Sequence, residues 1–137
     1  MWWIYALLSA FFAALTAIFA KVGIKGINSD LATAIRTVVV LVLAWAIVFY
    51  RGQAGAITSL SKFTIVFLIL SGIATGLSWI FYFKALQLGE VSKVAPVDKL
   101  SVALTIIFSA LFLQETLTWQ VMLGAGFIIL GTVIIIL

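Results

Sequence analysis

The chain has 137 residues, 66% of them hydrophobic and 9% charged, with a mean hydropathy of +1.36, where soluble domains are about 45–50% apolar and about 25% charged. That balance points to an integral membrane protein. The absence of cysteine and histidine removes disulfides, thiolate nucleophiles, imidazole bases and nearly every transition-metal site, so no metal and no cofactor is expected.

The net charge of +4, from eight Lys or Arg against four acids, is in such a chain first an orientation signal, not a mark of nucleic-acid binding. Five apolar runs, at about residues 2–20, 31–50, 63–84, 93–113 and 117–137, are each near the roughly 20 residues that cross about 30 Å of hydrocarbon. They predict an all-α fold, one domain over residues 1–137 built as a bundle of five transmembrane helices.

The first run opens on Met1-Trp2-Trp3-Ile4-Tyr5, whose rings suit a headgroup boundary. No Lys or Arg precedes it, so the charged start of a secretory signal is missing and a retained helix is expected. It ends at Lys21. The connector Val22 to Asp30 holds the turn formers Gly23, Gly26 and Asn28, and Ser29 or Asp30 is the expected N-cap of the second helix.

The second run, Leu31 to Tyr50, carries Arg36 inside it and closes on Tyr50-Arg51-Gly52. A polar link over residues 52–61 leads to the third run, where Gly72-Ile73-Ala74-Thr75-Gly76 is a spacing that admits close helix approach. Its end, Trp79-Ile80-Phe81-Tyr82-Phe83-Lys84, is dense in aromatics, which read either as a belt or plain packing, or as the wall of a cavity. Gly89 then suits a helix C′ position and Ser92 an N-cap, which would put Pro96 in the first turn of the fourth helix as a start signal. Thr116 or Thr118 can cap the fifth helix, and Trp119 marks its entry. Gly124 and Gly131, seven apart, share one face of it. That face is the candidate dimer interface, or else packs on a helix of the same chain.

Asp98 and Lys99 stand side by side inside the fourth run, where a charge costs several kcal/mol and is usually paired, wetted or functional. Arg36 sits at a similar number of residues into the second run, so an Arg36–Asp98 ion pair is expected, with Lys99 left for a second chain, a wet cavity or an anionic group of a substrate. The alternative is that Asp98 and Lys99 satisfy each other while Lys99 snorkels to the interface. Arg36, Asp98, Lys99, Ser101, Trp79 and Tyr82 are the candidate substrate or ion pathway. With five crossings, the side that holds the first and third connectors collects six cations against two on the other, which places the N-terminus outside and the C-terminus inside.

Catalysis finds little support. Asp30, Glu90, Asp98 and Glu115 fall at connectors or helix ends, and the glycines lie in apolar helices without the Lys-Ser/Thr ending of a phosphate-binding loop.

The segment Ala85-Leu86-Gln87-Leu88-Gly89-Glu90-Val91-Ser92-Lys93-Val94-Ala95-Pro96, then Leu100, then Leu113-Gln114-Glu115-Thr116-Leu117-Thr118 and the glycine-spaced last helix resembles an EamA-type repeat of the drug/metabolite transporter superfamily. Leu31-Ala32-Thr33-Ala34-Ile35-Arg36-Thr37 looks like that family's entry into its second helix. The usual member carries two such repeats in inverted orientation; this chain is similar to the small five-helix bacterial and archaeal members. The resemblance implies a secondary transporter of a small metabolite in the cytoplasmic membrane. It further implies alternating access and pairing with an identical or similar chain. A non-transporting membrane subunit is the alternative. Small multidrug-resistance cousins rely on a glutamate in the first helix, and Ala6 to Ala20 contains no acid, so that route of cation–proton exchange is not expected. The Gly124–Gly131 face resembles the final helix through which those cousins dimerise.

Overall fold

The computed structural model describes all 137 residues, and they form helices only. In chain order these are α1 (Trp2–Gly23), α2 (Ser29–Tyr50), α3 (Lys62–Leu88), α4 (Val91–Asp98), α5 (Leu100–Phe112) and α6 (Trp119–Ile136), with a 3₁₀ turn at Ala54–Ser59. Since α4 and α5 follow one another as a single span, five segments are long and apolar enough to cross a membrane. The protein is an all-α, multi-pass membrane protein.

The helix ends follow local chemistry. The α2 cap is Asn28, whose side-chain oxygen accepts the Asp30 N–H at 2.7 Å, one residue ahead of the expected Ser29 or Asp30. At the other end Gly52 takes φ +66°. The Gly52 N–H then bonds the Phe49 carbonyl and the Gln53 N–H bonds the Val48 carbonyl, each at 3.0 Å. That pair of bonds closes the helix on a residue without Cβ strain. Helix α3 continues past Lys84 to Leu88, because the run Ala85-Leu86-Gln87-Leu88 favours helix and leaving the hydrocarbon does not end one.

The fourth span corrects the expectation for Pro96. Its cap is Glu90, not Ser92, so Pro96 falls in the second turn, where it offers no N–H to the Ser92 carbonyl and its ring crowds that turn. Three residues later Lys99 sits at φ −70°, ψ −8°. Its N–H is shared between the carbonyls of Ala95 at 3.2 Å and Pro96 at 3.1 Å, and its own carbonyl accepts from Val102 at 3.0 Å. This tightened i→i+3 bonding separates α4 from α5. Pro96 interrupts the span instead of opening it.

Two compact units divide the chain, Phe19–Gln87 and Met1–Ile18 with Leu88–Leu137. In Phe19–Gln87, Ile24, Phe83 and Leu86 are buried, Leu86 completely. Around them the Lys21 ammonium donates to the Leu86 carbonyl. The Gln87 amide donates to the carbonyl of Ile27 at 2.6 Å and reaches that of Ile24 at 3.4 Å. The end of α1 and its connector are thereby tied to the end of α3. In the other unit α6 packs on α4 and α5, and the buried Thr132 hydroxyl donates to Ile128 one turn back at 2.8 Å and approaches the Pro96 carbonyl at 3.3 Å.

Most large apolar side chains point outward, Phe67, Val42 and Phe127 among them, which suits a surface bathed in acyl chains. A Cβ added at Gly72, Gly76, Gly124 or Gly131 would meet no neighbouring atom within 4 Å.

Candidate functional site

Two helical stripes build the site in Phe19–Gln87. On α2, Ser29, Thr33 and Arg36 recur at i, i+4 and i+7, the first two buried and Arg36 half-buried. On α3, Trp79, Tyr82, Phe83 and Leu86 recur at i, i+3, i+4 and i+7, the spacing of a packed helix face. All four are buried or half-buried, while the neighbouring Phe81 is exposed. The aromatic cluster therefore splits: Phe81 faces outward, whereas Trp79, Tyr82 and Phe83 turn in.

Arg36 lies over these rings. Its guanidinium carbon is 4.2 Å from the Trp79 ring centre and 5.2 Å from that of Phe83, inside the range of about 6 Å where a ring face attracts a cation. Tyr82 meets Phe83 edge to face, with centres 6.3 Å apart. The rings engage the cation through its charge, whereas its N–H donors lie in the guanidinium plane. One of those nitrogens, Nη1, is buried without a hydrogen-bond partner. By contrast the hydroxyls of Thr33 and Thr37 are taken up by α2 itself, donating to Ser29 at 2.9 Å and to Thr33 at 2.8 Å.

Asp98 and Lys99 stand at the α4–α5 break, their side chains 3.4 Å apart and 34% and 58% exposed respectively. Asp98 thus has its ion-pair partner in the next residue, the alternative that the sequence left open. Ser101, the second residue of α5, is exposed, and its carbonyl accepts from the Thr105 hydroxyl at 2.8 Å. Arg36 and Asp98 belong to different units, each with the neighbours just described. Of the pathway candidates, Arg36, Trp79 and Tyr82 come together within Phe19–Gln87, and Asp98, Lys99 and Ser101 follow one another across the α4–α5 break.

On α6, Gly124 is exposed and Gly131 half-buried beside Thr132. A shallow apolar groove of about 230 Å³ runs along a different face, between Trp119, Met122, Leu123, Phe127 and Leu130 with Gly126 among them. No group of acids is arranged to hold a metal ion.

Sequence reasoning assigned no role to Gln87 or Thr132. Each is a polar residue in an apolar helix, and that pattern in a membrane helix marks interhelical hydrogen bonding.

The sequence profile of the EamA-like transporter family matches residues 1–137. An uncharacterized transporter from the cobO 3′ region of Sinorhizobium sp is 52% identical over 134 residues, which cover 98% of this chain and 95% of that protein. An uncharacterized protein of Methanocaldococcus jannaschii is 32% identical over 71 residues, 52% of each chain. No solved structure matches the chain. With a family match from end to end and a relative of the same size named as a transporter, this chain belongs to the EamA-like transporter family.

Proposed function

We propose that the protein is a secondary transporter, or a subunit of one, that moves a small metabolite across the cytoplasmic membrane by alternating access. Membership of a transporter family supports transport. The observation that carries the reading is Arg36, a permanent cation within a membrane-spanning helix, resting on Trp79 and Phe83. A charge at such a position raises the free energy of the folded chain unless it is used. Arg36, Trp79 and Tyr82 form one part of the pathway, and Asp98, Lys99 and Ser101 another. The last three stand at or just after the break at Lys99, where a membrane helix would otherwise be continuous.

A five-helix repeat supplies half of what alternating access needs, since such transporters move one repeat against another. The chain therefore works with a second copy or a similar repeat, meeting it along the Gly124–Gly131 face, where a Cβ added at either glycine would meet no atom within 4 Å. The lysine and arginine distribution orients the N-terminus outside and the C-terminus inside. Flux through cells carrying Asp98→Asn or Lys99→Gln at matched expression tests the pathway: reduced flux in either is the expected result, and unaltered flux in both removes these residues from it. Labelling of Lys25→Cys from the inner face alone is expected for a single orientation; labelling from both faces would establish dual insertion.

A further inference from the structure

We propose that Arg36 is a carboxylate-binding residue, so that the solute handled by this chain is a small organic anion; the inference rests on the transport reading above. Three observations lead to it. The guanidinium is held against Trp79 and Phe83, its carbon 4.2 and 5.2 Å from the two ring centres, and contact with a ring face uses the charge of the cation without using its N–H donors. Its Nη1 is buried and makes no hydrogen bond, an arrangement that is unfavourable until an acceptor arrives. Within Phe19–Gln87 the only acid is Asp30, which is exposed and lies in the first turn of α2. The unit thus carries an intramembrane cation and no internal counter-ion for it.

The chemistry selects the ligand. A guanidinium presents two parallel N–H donors that match the two oxygens of a carboxylate, which a lysine ammonium cannot do. Ring faces stabilise the positive charge without neutralising it, so the site repels cations and attracts anions. Trp79 and Phe83 flank the same guanidinium, so a carboxylate attached to a flat or apolar body can bind with its head on Arg36 and its body along the rings.

The test is thermal stabilisation of the purified full-length chain in nanodiscs of neutral lipid at pH 8, titrated with benzoate and with benzamide, its uncharged counterpart. Wild-type protein is expected to be stabilised saturably by benzoate and not by benzamide, because a ligand that binds only the folded state raises its melting temperature. Arg36→Gln should weaken the benzoate response by about tenfold or more, while Arg36→Lys, which keeps the charge but loses the planar fork, should weaken it by at least about threefold. Should Arg36→Gln fail to fold, Arg36→Lys and Trp79→Leu carry the comparison. An equal response of wild type to both probes overturns the proposal, as does an unchanged benzoate response in the Arg36 variants or the lack of any saturable response. Two other sources of the oxyanion are separated by further arms. If a lipid headgroup is the occupant, anionic nanodiscs abolish the benzoate response; if Asp98 is, Asp98→Asn tightens benzoate by about tenfold or more. Either result overturns the assignment to a solute. Reconstituted flux distinguishes the two readings: solute flux indifferent to Arg36 removes the carboxylate site and leaves transport, whereas benzoate binding without flux of any carboxylate removes transport and leaves the site.

Discussion

The guanidinium of Arg36 stands 4.2 Å from the centre of the Trp79 indole, linking α2 to α3 within the apolar part of both helices. Such a contact is worth about 0.5–1 kcal/mol at exposed sites and about 2 kcal/mol when desolvated. Trp79→Leu is therefore expected to lower the melting temperature in neutral detergent clearly, and Trp79→Phe, which keeps a ring beneath the cation, to lower it less. Equal losses for the two variants would show that the indole serves only as bulk.

Gln87 holds the α1–α2 connector through the carbonyls of Ile27 and Ile24. Gln87→Leu removes both bonds and should cost about 1 kcal/mol, with faster hydrogen exchange in residues 22–28. Exchange within α5 should be unchanged. Uniformly faster exchange along the chain would contradict a local clamp.

Pro96 and the turn at Lys99 make a pair of opposed predictions. Pro96→Ala restores an N–H for the Ser92 carbonyl, so hydrogen exchange over residues 97–100 should slow and the melting temperature should rise. Thr132→Val removes the contact to the Pro96 carbonyl, but the shorter bond of that hydroxyl stays within α6, at 2.8 against 3.3 Å. Its cost should remain near the average of about 0.6 kcal/mol for interhelical hydrogen bonds in membranes. Faster exchange at residues 97–100 in Pro96→Ala would show that the break has another cause.

Leucine at Gly124 and Gly131 tests the association face. A Cβ added at either position meets no atom within 4 Å, so the double variant should still fold at high dilution while single-molecule photobleaching shifts from two steps to one. Gly126→Leu, on the other face of α6, should leave two steps. Loss of pairing in Gly126→Leu alone would move the interface to the Trp119–Leu130 groove.

The sequence made the membrane spans legible because each is a run of apolar residues of crossing length, a signal that needs no partner. It also singled out Arg36 and Trp79, yet 43 positions separate them (79 − 36), and only the packing of α2 on α3 joins them. For Pro96 the error was small and its effect large: a cap two residues earlier than Ser92, at Glu90, moved the proline from a harmless first turn into the second and broke the helix. Asp98 and Lys99 could be read as a mutual pair or as separate partners, because adjacent residues on a helix project about 100° apart and only the local turn decides whether they meet. Phe83 and Leu86 were legible in principle from the i, i+3, i+4, i+7 stripe beginning at Trp79, but the surrounding apolar residues mask any stripe in a membrane helix.

The most direct test of the account is flux. Purified wild-type chain in liposomes, loaded with one unlabelled small carboxylate and diluted into its labelled form, should accumulate label by exchange above protein-free vesicles. Uptake should be unaffected by ATP and at least about tenfold slower with Arg36→Gln. Accumulation no greater than in empty liposomes for every class of solute tried, cations and neutral metabolites included, would contradict transport by this chain.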